Sequence, residues 1–424
     1  MRNIKDIKLD IPYYPMKIIS TLKASGYDAY IVGGCVRDEL LNKSPSDFDI
    51  TTNAKPYEVK KLFKRTIDTG IKHGTISVLF YENNEPKTFE VTTYRLDGNY
   101  KDNRHPENVV FVDELKEDLL RRDFTINAMA YNHENGLVDE FGGLVDLEKK
   151  IIRAVGNPIE RFSEDALRLL RAIRFSAKLG FEIDSETKDA IPKLASNLQS
   201  VSKERVQVEL TKTITSDNPE YVEMVFNLGL SKYICNSFDL IVPGMFVSGN
   251  KKNYLAYSSL LYNTNIEIAK TILQELKLDN HTINNTIAIL TAKSFIYEIK
   301  NSYDKKSFDK ADILIKRLIN YLKYELVFDC LELLKVNENC KSVIEYIERK
   351  TYEFKASKTP IYLQELNIGG NDLIEIGFVR DEVGLALKEL LDIVHMDEKL
   401  NKKNILQHYA KIAYNSYKGG ENGL

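Results

Sequence analysis

The chain has 424 residues, of which 43% are hydrophobic, and this length predicts several domains rather than one compact core. Its formal net charge of −3 argues against a uniformly basic nucleic-acid binder, although 59 Lys and Arg residues are available to form a local basic channel. The sequence contains neither an apolar core of signal-peptide length near its start nor a membrane-spanning apolar run, so we expect a cytoplasmic protein with no membrane partner.

The first part of the chain mixes β-like and helical segments. Segments rich in β-branched and aromatic residues predict strands at Asp28–Val32, Phe48–Thr52, Gly74–Phe80 and Thr88–Tyr94. A helix is expected at Pro56–Arg65, with proline in its first turn. From Glu164 almost to the carboxyl terminus, apolar residues recur at three- and four-residue spacing, and Gly and Pro are sparse. The pattern predicts an α/β head followed by a long helical region.

The strongest local pattern pairs two glycines with two aspartates. Gly33 and Gly34 end a predicted strand, and a turn without side chains lets the backbone approach a phosphate closely. Asp47 and Asp49 follow in a second predicted strand, where residues i and i+2 point to the same face and their charges repel. Mg²⁺ prefers one or two carboxylates together with substrate phosphates. Each element alone is better explained by a simple turn or a solvated strand edge, but together they predict a nucleotide and Mg²⁺ site.

Two further segments contribute candidate residues. Glu90 would complete a two-metal site if its strand lies beside the strand of the two aspartates, and an exposed strand glutamate is the alternative. Arg121 and Arg122 precede an apolar run and offer bidentate contacts to a triphosphate. As an alternative, the two arginines are ion-pair partners of Asp118 and Asp123.

A charged helix face is predicted near the end of the head. Ser163 is a suitable N-cap, and Asp165, Arg168, Arg171 and Arg174 follow one another at three-residue intervals along one side. Three arginines with only one nearby aspartate are an excess of positive charge that favours an anionic partner. An ordinary amphipathic helix with a charged outer face is the alternative.

The pair Asp165 and Arg168 suggests a means of selecting bases. A carboxylate only accepts hydrogen bonds, and a guanidinium only donates them. Cytosine and adenine both present an amine donor next to a ring-nitrogen acceptor, whereas uracil and guanine present the opposite order. A mismatched base leaves buried polar groups unpaired, at about 1–3 kcal/mol each. The pair would therefore select CTP and ATP without a nucleic-acid template.

In these motifs and their order, the sequence resembles the class II tRNA nucleotidyltransferases and bacterial poly(A) polymerases of the polymerase-β superfamily. The matching elements are GGCVRD, DFD, FEVTTYR, RRDFTINAMA and SEDALRLLRAIRFSAKLGF, with a weaker match at Ser202–Val206. The resemblance covers roughly residues 26–210 and implies a polymerase-β-like α/β nucleotidyltransferase head followed by all-α neck, body and tail domains. The four parts are predicted at 1–155, 156–240, 241–354 and 355–424.

The resemblance also implies roles for individual residues. The catalytic Mg²⁺ ions would be held by Asp47 and Asp49, and the candidate third carboxylate stays Glu90. The incoming nucleotide would be contacted by Gly33, Gly34, Arg37 and, at its triphosphate, Arg122. The base-reading pocket would be formed by Asp165, Arg168, Arg171 and Arg174.

The implied reaction is template-independent addition of CCA to the 3′ end of tRNA from CTP and ATP, by two-metal chemistry with release of pyrophosphate. The body and tail would hold the acceptor arm of the tRNA, and no obligate protein partner is expected. A-adding tRNA nucleotidyltransferases and poly(A) polymerases share the same head and remain alternatives. The segment Arg95–Val110 is polar and flexible by composition. In the family that the sequence resembles, a comparable loop accompanies the ability to add the terminal A, which argues against an enzyme that adds only CC. An inert RNA-binding scaffold is the non-enzyme alternative, which the bare pair Asp47 and Asp49 disfavours.

Overall fold

The computed structural model describes residues 7–97 and 109–419, and their contacts form two compact units. The first unit comprises Met1–Asp239 with Glu275–Lys277, and the second comprises Leu240–Gln274 with Leu278–Leu424. The finer division into head, neck, body and tail stays a prediction. No helix in the described part of the chain is long and apolar enough to cross a membrane.

The first unit is built around a mixed sheet. Its strands are β1 (Ala29–Val32), β2 (Ile50–Thr52), β3 (Thr66–Gly70), β4 (Thr75–Glu82), β5 (Glu85–Thr93), β6 (Arg95–Asp97), β7 (Val109–Phe111), β8 (Ala130–Asn132), β9 (Gly136–Val138), β10 (Ile151–Ile152) and β11 (Glu182–Ile183). Seven of them form one sheet in the order β3-β4-β5-β2-β1-β8-β9, in which β2 and β5 are parallel. The predicted α/β head is confirmed.

Helices flank this sheet and continue beyond it. They are α1 (Tyr13–Ala24), α2 (Gly34–Leu40), α3 (Pro56–Leu62), α4 (Leu115–Leu120), α5 (Gly143–Lys149), α6 (Pro158–Glu164), α7 (Leu167–Leu179), α8 (Ser185–Leu194), α9 (Lys203–Ile214) and α10 (Glu223–Asn227). Tyr14 of α1 stacks on Phe80 of β4, with ring centroids 4.8 Å apart, which anchors α1 on one face of the sheet. Glu90 of β5 is exposed.

The predicted strands are all present, with shifted ends. Strand β2 begins at Ile50 instead of Phe48, and helix α3 ends at Leu62 instead of Arg65. Strands β6 and β7 pair in antiparallel register, and residues 98–108 between them lie outside the described residues. The interpretation of segment Arg95–Val110 therefore stays a prediction.

The helix start predicted at Ser163 is wrong. Ser163 lies within α6, where its hydroxyl donates to the carbonyl of Ile159 at 2.7 Å, and the cap of α6 is Asn157. Asp165 follows α6 with an extended backbone (φ −141°, ψ 105°), and the arginine-bearing helix α7 starts only at Leu167. The local period of apolar residues does not reveal this break, because both helices bury residues at similar spacing.

The second unit is helical, as predicted for the part of the chain beyond the head. The helices that follow along the chain are α11 (Asn253–Leu260), α12 (Ile266–Glu275), α13 (Asn280–Asp304), α14 (Phe308–Asn337), α15 (Lys341–Ser357), α16 (Gly370–Ile376), α17 (Arg380–Met396) and α18 (Lys403–Gly419). Along α14, buried apolar residues recur every three or four positions, as at Leu314, Leu318 and Leu322. They pack in a core with residues of α13 and α15.

Candidate active site

Three carboxylates gather at the start of strand β2. Asp47 and Asp49 directly precede the strand, whose first residue Ile50 pairs with Val91 of β5 in parallel register. Because neighbouring positions in this register are adjacent, Asp49 lies beside Glu90. The expectation that the strand of Glu90 neighbours the strand of the two aspartates is therefore confirmed.

The charges at this position are mutually repulsive. Asp47, Asp49 and Glu90 are all exposed side chains. The pKa of Asp49 is raised, first by desolvation of its carboxyl group and then by the negative charge of Asp47. The negative charge of Glu90 raises this pKa further, whereas the positive charge of Arg122 lowers it. A cation would relieve the repulsion, and hard oxygen donors are the ligands that Mg²⁺ prefers.

The donor set fits Mg²⁺ through the two aspartates. Within residues 7–97 and 109–419, no group of three or more His, Cys, Asp or Glu side chains is placed to hold a metal ion by itself. Mg²⁺ is commonly bound by one or two carboxylates together with substrate phosphates. Asp47 and Asp49 stay the predicted ligands, and Glu90 stays a candidate.

A glycine turn brings a guanidinium close to these carboxylates. Gly33, the residue before α2, has φ 81° and ψ −126°, a conformation that side chains disfavour. A Cβ atom at Gly33 would lie 3.0 Å from Nη1 of Arg122, so glycine also makes room for this side chain. The Nε atom of Arg122 is buried and has no hydrogen-bond partner among the described residues. Arg122 therefore has a donor to spare beside the turn.

The two consecutive arginines, Arg121 and Arg122, also form ion pairs with Asp118, as the alternative interpretation of the sequence predicted. Nε of Arg121 lies 2.9 Å from Asp118, and Nη2 of Arg122 lies 3.2 Å from the same carboxylate. Burial opposes ionisation of Asp118, but the charges of both arginines outweigh burial and lower its pKa. Asp123, the other expected partner, pairs instead with Arg171.

Arg37 is held inside the protein. Its Nη1 atom donates to Asn127 Oδ1 at 2.5 Å, its Nε atom donates to Asp38 at 2.8 Å, and the residue is 3% exposed. In this arrangement Arg37 fastens α2 to the segment that follows the consecutive arginines. Its contact with a nucleotide stays a prediction, and the role of Asn127 was not predicted because no sequence pattern distinguishes it.

The excess of positive charge inferred for the arginine helix is offset in the fold. Acids from three other parts of the chain pair with these arginines: Glu164 with Arg168, Asp123 with Arg171, and Glu209 with Arg174. Sequence reasoning considered only neighbours along the helix, and two of these acids are more than thirty residues away. The charged face is therefore an internal network rather than a bare cationic surface.

The backbone N–H of Arg168 donates to the carbonyl of Asp165 at 3.0 Å, but their side chains bond to other partners. Asp165 Oδ2 accepts from Nη2 of Arg205 at 2.8 Å, and its Oδ1 accepts from the backbone of Leu167 at 3.1 Å. Arg168 is 7% exposed and donates to Glu164 and to two backbone carbonyls. Arg205 lies in the segment Ser202–Val206, which weakly matches the family. This match was the one sequence signal that pointed to Arg205.

Comparisons with known proteins identify the family of this chain. Residues 29–153 match the poly A polymerase head domain, and residues 180–240 match a family described as the probable RNA and SrmB-binding site of polymerase A. The CCA-adding enzyme of Lactiplantibacillus plantarum is 34% identical over 412 residues, which cover 94% of this chain and 96% of that enzyme. The chain belongs to the family of CCA-adding enzymes.

Other members of the family support the assignment. The CCA-adding enzyme of Leuconostoc mesenteroides is 36% identical over 415 residues, covering 93% of this chain and 94% of that enzyme. The crystal structure of the Bacillus stearothermophilus CCA-adding enzyme in complex with CTP superposes with a TM-score of 0.74 at 28% identity, covering 96% of this chain and all of that one. Membership of this family confirms the predicted fold class and the predicted enzyme class, a nucleotidyltransferase.

Proposed function

We propose that this chain adds CCA to the 3′ end of tRNA, using CTP and ATP and no nucleic-acid template. The observation that carries the proposal is the placement of Asp49 near Asp47, Glu90 and Arg122, in a chain of the CCA-adding family. The Bacillus stearothermophilus relative, which was crystallised with CTP, supports the choice of nucleotide. We also propose that the protein is located in the cytoplasm, where it would have access to its tRNA substrate.

The proposed chemistry assigns a task to each group. Asp47 and Asp49 would hold Mg²⁺, and the two-metal mechanism implied by the resemblance is part of the proposal. When bound, Mg²⁺ supplies charge neutralisation at the triphosphate and favours the ionised form of the 3′-hydroxyl. Arg122 would hold the triphosphate, and the turn at Gly33 would let the triphosphate approach the backbone closely. Catalysis then depends on positioning and charge stabilisation, and no general-base side chain is needed.

Base selection is assigned to the junction between α6 and α7. Asp165 is the group whose carboxylate would accept the exocyclic amine of cytosine or adenine. Its extended backbone leaves it outside both helices, so its side chain position is set by its hydrogen bonds. Because both bases present the same donor and acceptor order, one site would serve both nucleotides.

The experiment that tests the function uses purified protein with tRNA transcripts that end before CCA, after C, or after CC. With CTP and ATP together, all three transcripts should be completed to CCA, and with CTP alone the first should stop after CC. Extension of only the transcript ending in CC identifies an A-adding enzyme. Extension of an unrelated RNA by ATP alone identifies a poly(A) polymerase. No incorporation under any of these conditions indicates a scaffold, and each of these three outcomes overturns the proposal.

A further inference from the structure

Strand β4 carries side chains that share a face with the candidate carboxylate Glu90. In the antiparallel register of β4 and β5, Ser77 lies opposite Glu90 and Tyr81 lies opposite Pro86. Residues that lie opposite each other, and residues two positions apart along a strand, point to the same face of a sheet. Tyr81 therefore shares a face with Glu90, and four residues along β4, or about 13 Å, separate it from the position opposite Glu90.

An aromatic ring and a guanidinium meet on this face. Tyr81 is 50% exposed, and Cζ of Arg65 lies 4.8 Å from the centre of its ring. The N–H of Leu79 donates to the carbonyl of Arg65 at 3.0 Å, which continues the register of β3 and β4 and places Arg65 on the same face. Two positions further along β3, Ile67 is 47% exposed. We refer to Arg65, Ile67, Leu79 and Tyr81 as the β3–β4 surface.

The chemistry of the β3–β4 surface suits single-stranded RNA. Bases stack on exposed aromatic rings, and nearby cations attract the phosphates. The segment that leads into β3 adds positive charge, since Lys60, Lys61 and Lys64 are all exposed. Of these, Lys60 is paired with Asp68. Protein interfaces are depleted in lysine, so RNA is the better-suited occupant.

The position of the β3–β4 surface fits the approach of the RNA to the carboxylates. Gly33 follows β1, Arg122 lies beside it, and the order of the sheet places β1 and β5 on opposite sides of β2. In an in-line displacement, the attacking and leaving groups lie on opposite sides of the phosphorus. A triphosphate held at Gly33 and Arg122 therefore requires the RNA 3′-hydroxyl to approach from the side of β5, on which β4 and β3 also lie.

We propose that the β3–β4 surface binds the single-stranded 3′ end of the RNA substrate, upstream of its 3′-hydroxyl. Tyr81 stacks on a base, and Arg65 contacts a neighbouring phosphate. A stacked strand rises about 3.4 Å per nucleotide, so the base on Tyr81 lies about four positions upstream of the terminus. Neither contact involves a base edge, so the surface positions the RNA without reading its sequence. This inference rests on the proposed function and names residues that position its RNA substrate.

The test measures the binding of RNA hairpins with Mg²⁺ present and without CTP or ATP. One hairpin has a single-stranded 3′ end of about four nucleotides, and a second hairpin is blunt. The wild type should bind the first hairpin more tightly. Tyr81→Ala should weaken binding of the first hairpin about tenfold and change binding of the blunt hairpin by less than about twofold, because a stacking contact is lost.

Two further variants separate the ring from the charge. Tyr81→Phe keeps the aromatic ring and should bind both hairpins like the wild type. Arg65→Ala should weaken binding of the first hairpin and lower the slope of its salt dependence by about one phosphate contact. Loss of binding in Tyr81→Phe equal to that in Tyr81→Ala would contradict stacking.

A matched control is Tyr57→Ala. Tyr57 is 55% exposed, and Nζ of Lys61 lies 5.4 Å from the centre of its ring, so its surroundings resemble those of Tyr81. It belongs to α3, which follows the carboxyl end of β2, whereas Asp47 and Asp49 precede the amino end of that strand. Tyr57→Ala should bind both hairpins like the wild type.

The outcomes are distinct. A wild type that binds both hairpins equally, or a Tyr81→Ala variant that keeps the wild-type preference, overturns the inference. An equal loss for both hairpins also overturns it, and thermal unfolding shows whether each variant is folded. If Tyr81→Ala is unfolded, the exposed Arg65→Ala change decides by the same preference. Binding requires no incorporation, so a failure to complete CCA on tRNA overturns the proposed function separately.

Discussion

Arg171 donates from Nε to Oδ2 of Asp123 at 2.8 Å, joining helix α7 to the segment of consecutive arginines. Oδ1 of the same aspartate accepts from Asn127 at 3.1 Å, and Asn127 in turn accepts from Arg37 of α2. One polar chain therefore connects the glycine turn to the arginine helix. The same buried network therefore holds Arg37, a predicted nucleotide contact, and Arg171 of α7.

The first prediction concerns acid stability. Burial opposes ionisation of Asp123, but Arg171 and Asn127 outweigh it and lower its pKa to about 2. The unfolded value is about 3.9, so the stability contributed by the ionised aspartate is fully present above about pH 4 and is lost as pH falls through about 2. Asp123→Asn should lower the unfolding temperature at pH 6.

The measurement is the difference in unfolding temperature between the wild type and Asp123→Asn from pH 6 to pH 2. This difference should shrink as the pH falls below about 4, because the wild type then loses the contribution that the variant never had. Asp68→Asn, which removes an exposed acid paired with Lys60 at 2.9 Å, should show a small and nearly constant difference. A constant difference for Asp123→Asn would contradict the assignment.

The second prediction concerns the carboxylates. Asp47→Asn and Asp49→Asn should each lower nucleotide incorporation by about a thousandfold or more, since a transition-state charge interaction worth about 4 kcal/mol is lost. Excess Mg²⁺ should not restore the rate. Glu90→Gln separates the two interpretations of Glu90: a metal ligand predicts a large loss, and an exposed strand glutamate predicts an activity near that of Asp68→Asn. Activity that survives Asp47→Asn would exclude Asp47 as a ligand.

The third prediction compares the two consecutive arginines. Both pair with the buried Asp118, so Arg121→Ala and Arg122→Ala should lower stability to a similar extent. Arg122 lies near the glycine turn, and its buried Nε has no hydrogen-bond partner among the described residues. Arg122→Ala should raise KM for CTP and ATP by about tenfold or more, the value of one charge-assisted hydrogen bond. Equal changes in KM for the two variants would contradict the proposal that Arg122 contacts the triphosphate.

The fourth prediction uses two glycines with similar positive φ. Gly33 has φ 81° and a crowded Cβ position, whereas Gly26 has φ 88° and nothing within 4 Å of that position. Alanine should cost about 1–2 kcal/mol of stability at either residue because of the left-handed backbone. Gly33→Ala should also lower kcat/KM by about tenfold, since a methyl group displaces Arg122 from the turn. Kinetics and thermal unfolding of both variants, side by side, test this; an equal loss of activity would contradict it.

Much of the head was predictable because its signals are local. Strands β1, β4 and β5 follow from β-branched and aromatic residues between turn residues, and their ends shifted by only a few positions. The glycine pair and the two aspartates predicted a nucleotide and Mg²⁺ site from residue types and spacing alone. The break between α6 and α7 was missed, since Asp165 leaves the helical region without Gly or Pro to signal it.

The sequence by itself determined the glycine turn and the two closely spaced aspartates. The backbone freedom of glycine and the charge of aspartate are properties of the residues and do not depend on the fold. Which charges meet was decided only by the tertiary structure. Glu90 reaches Asp49 through the register of two strands, and Arg205 reaches Asp165 from another helix. Ion pairs form between side chains that the fold brings within a few ångströms, and residues forty positions apart carry no local signal of that contact.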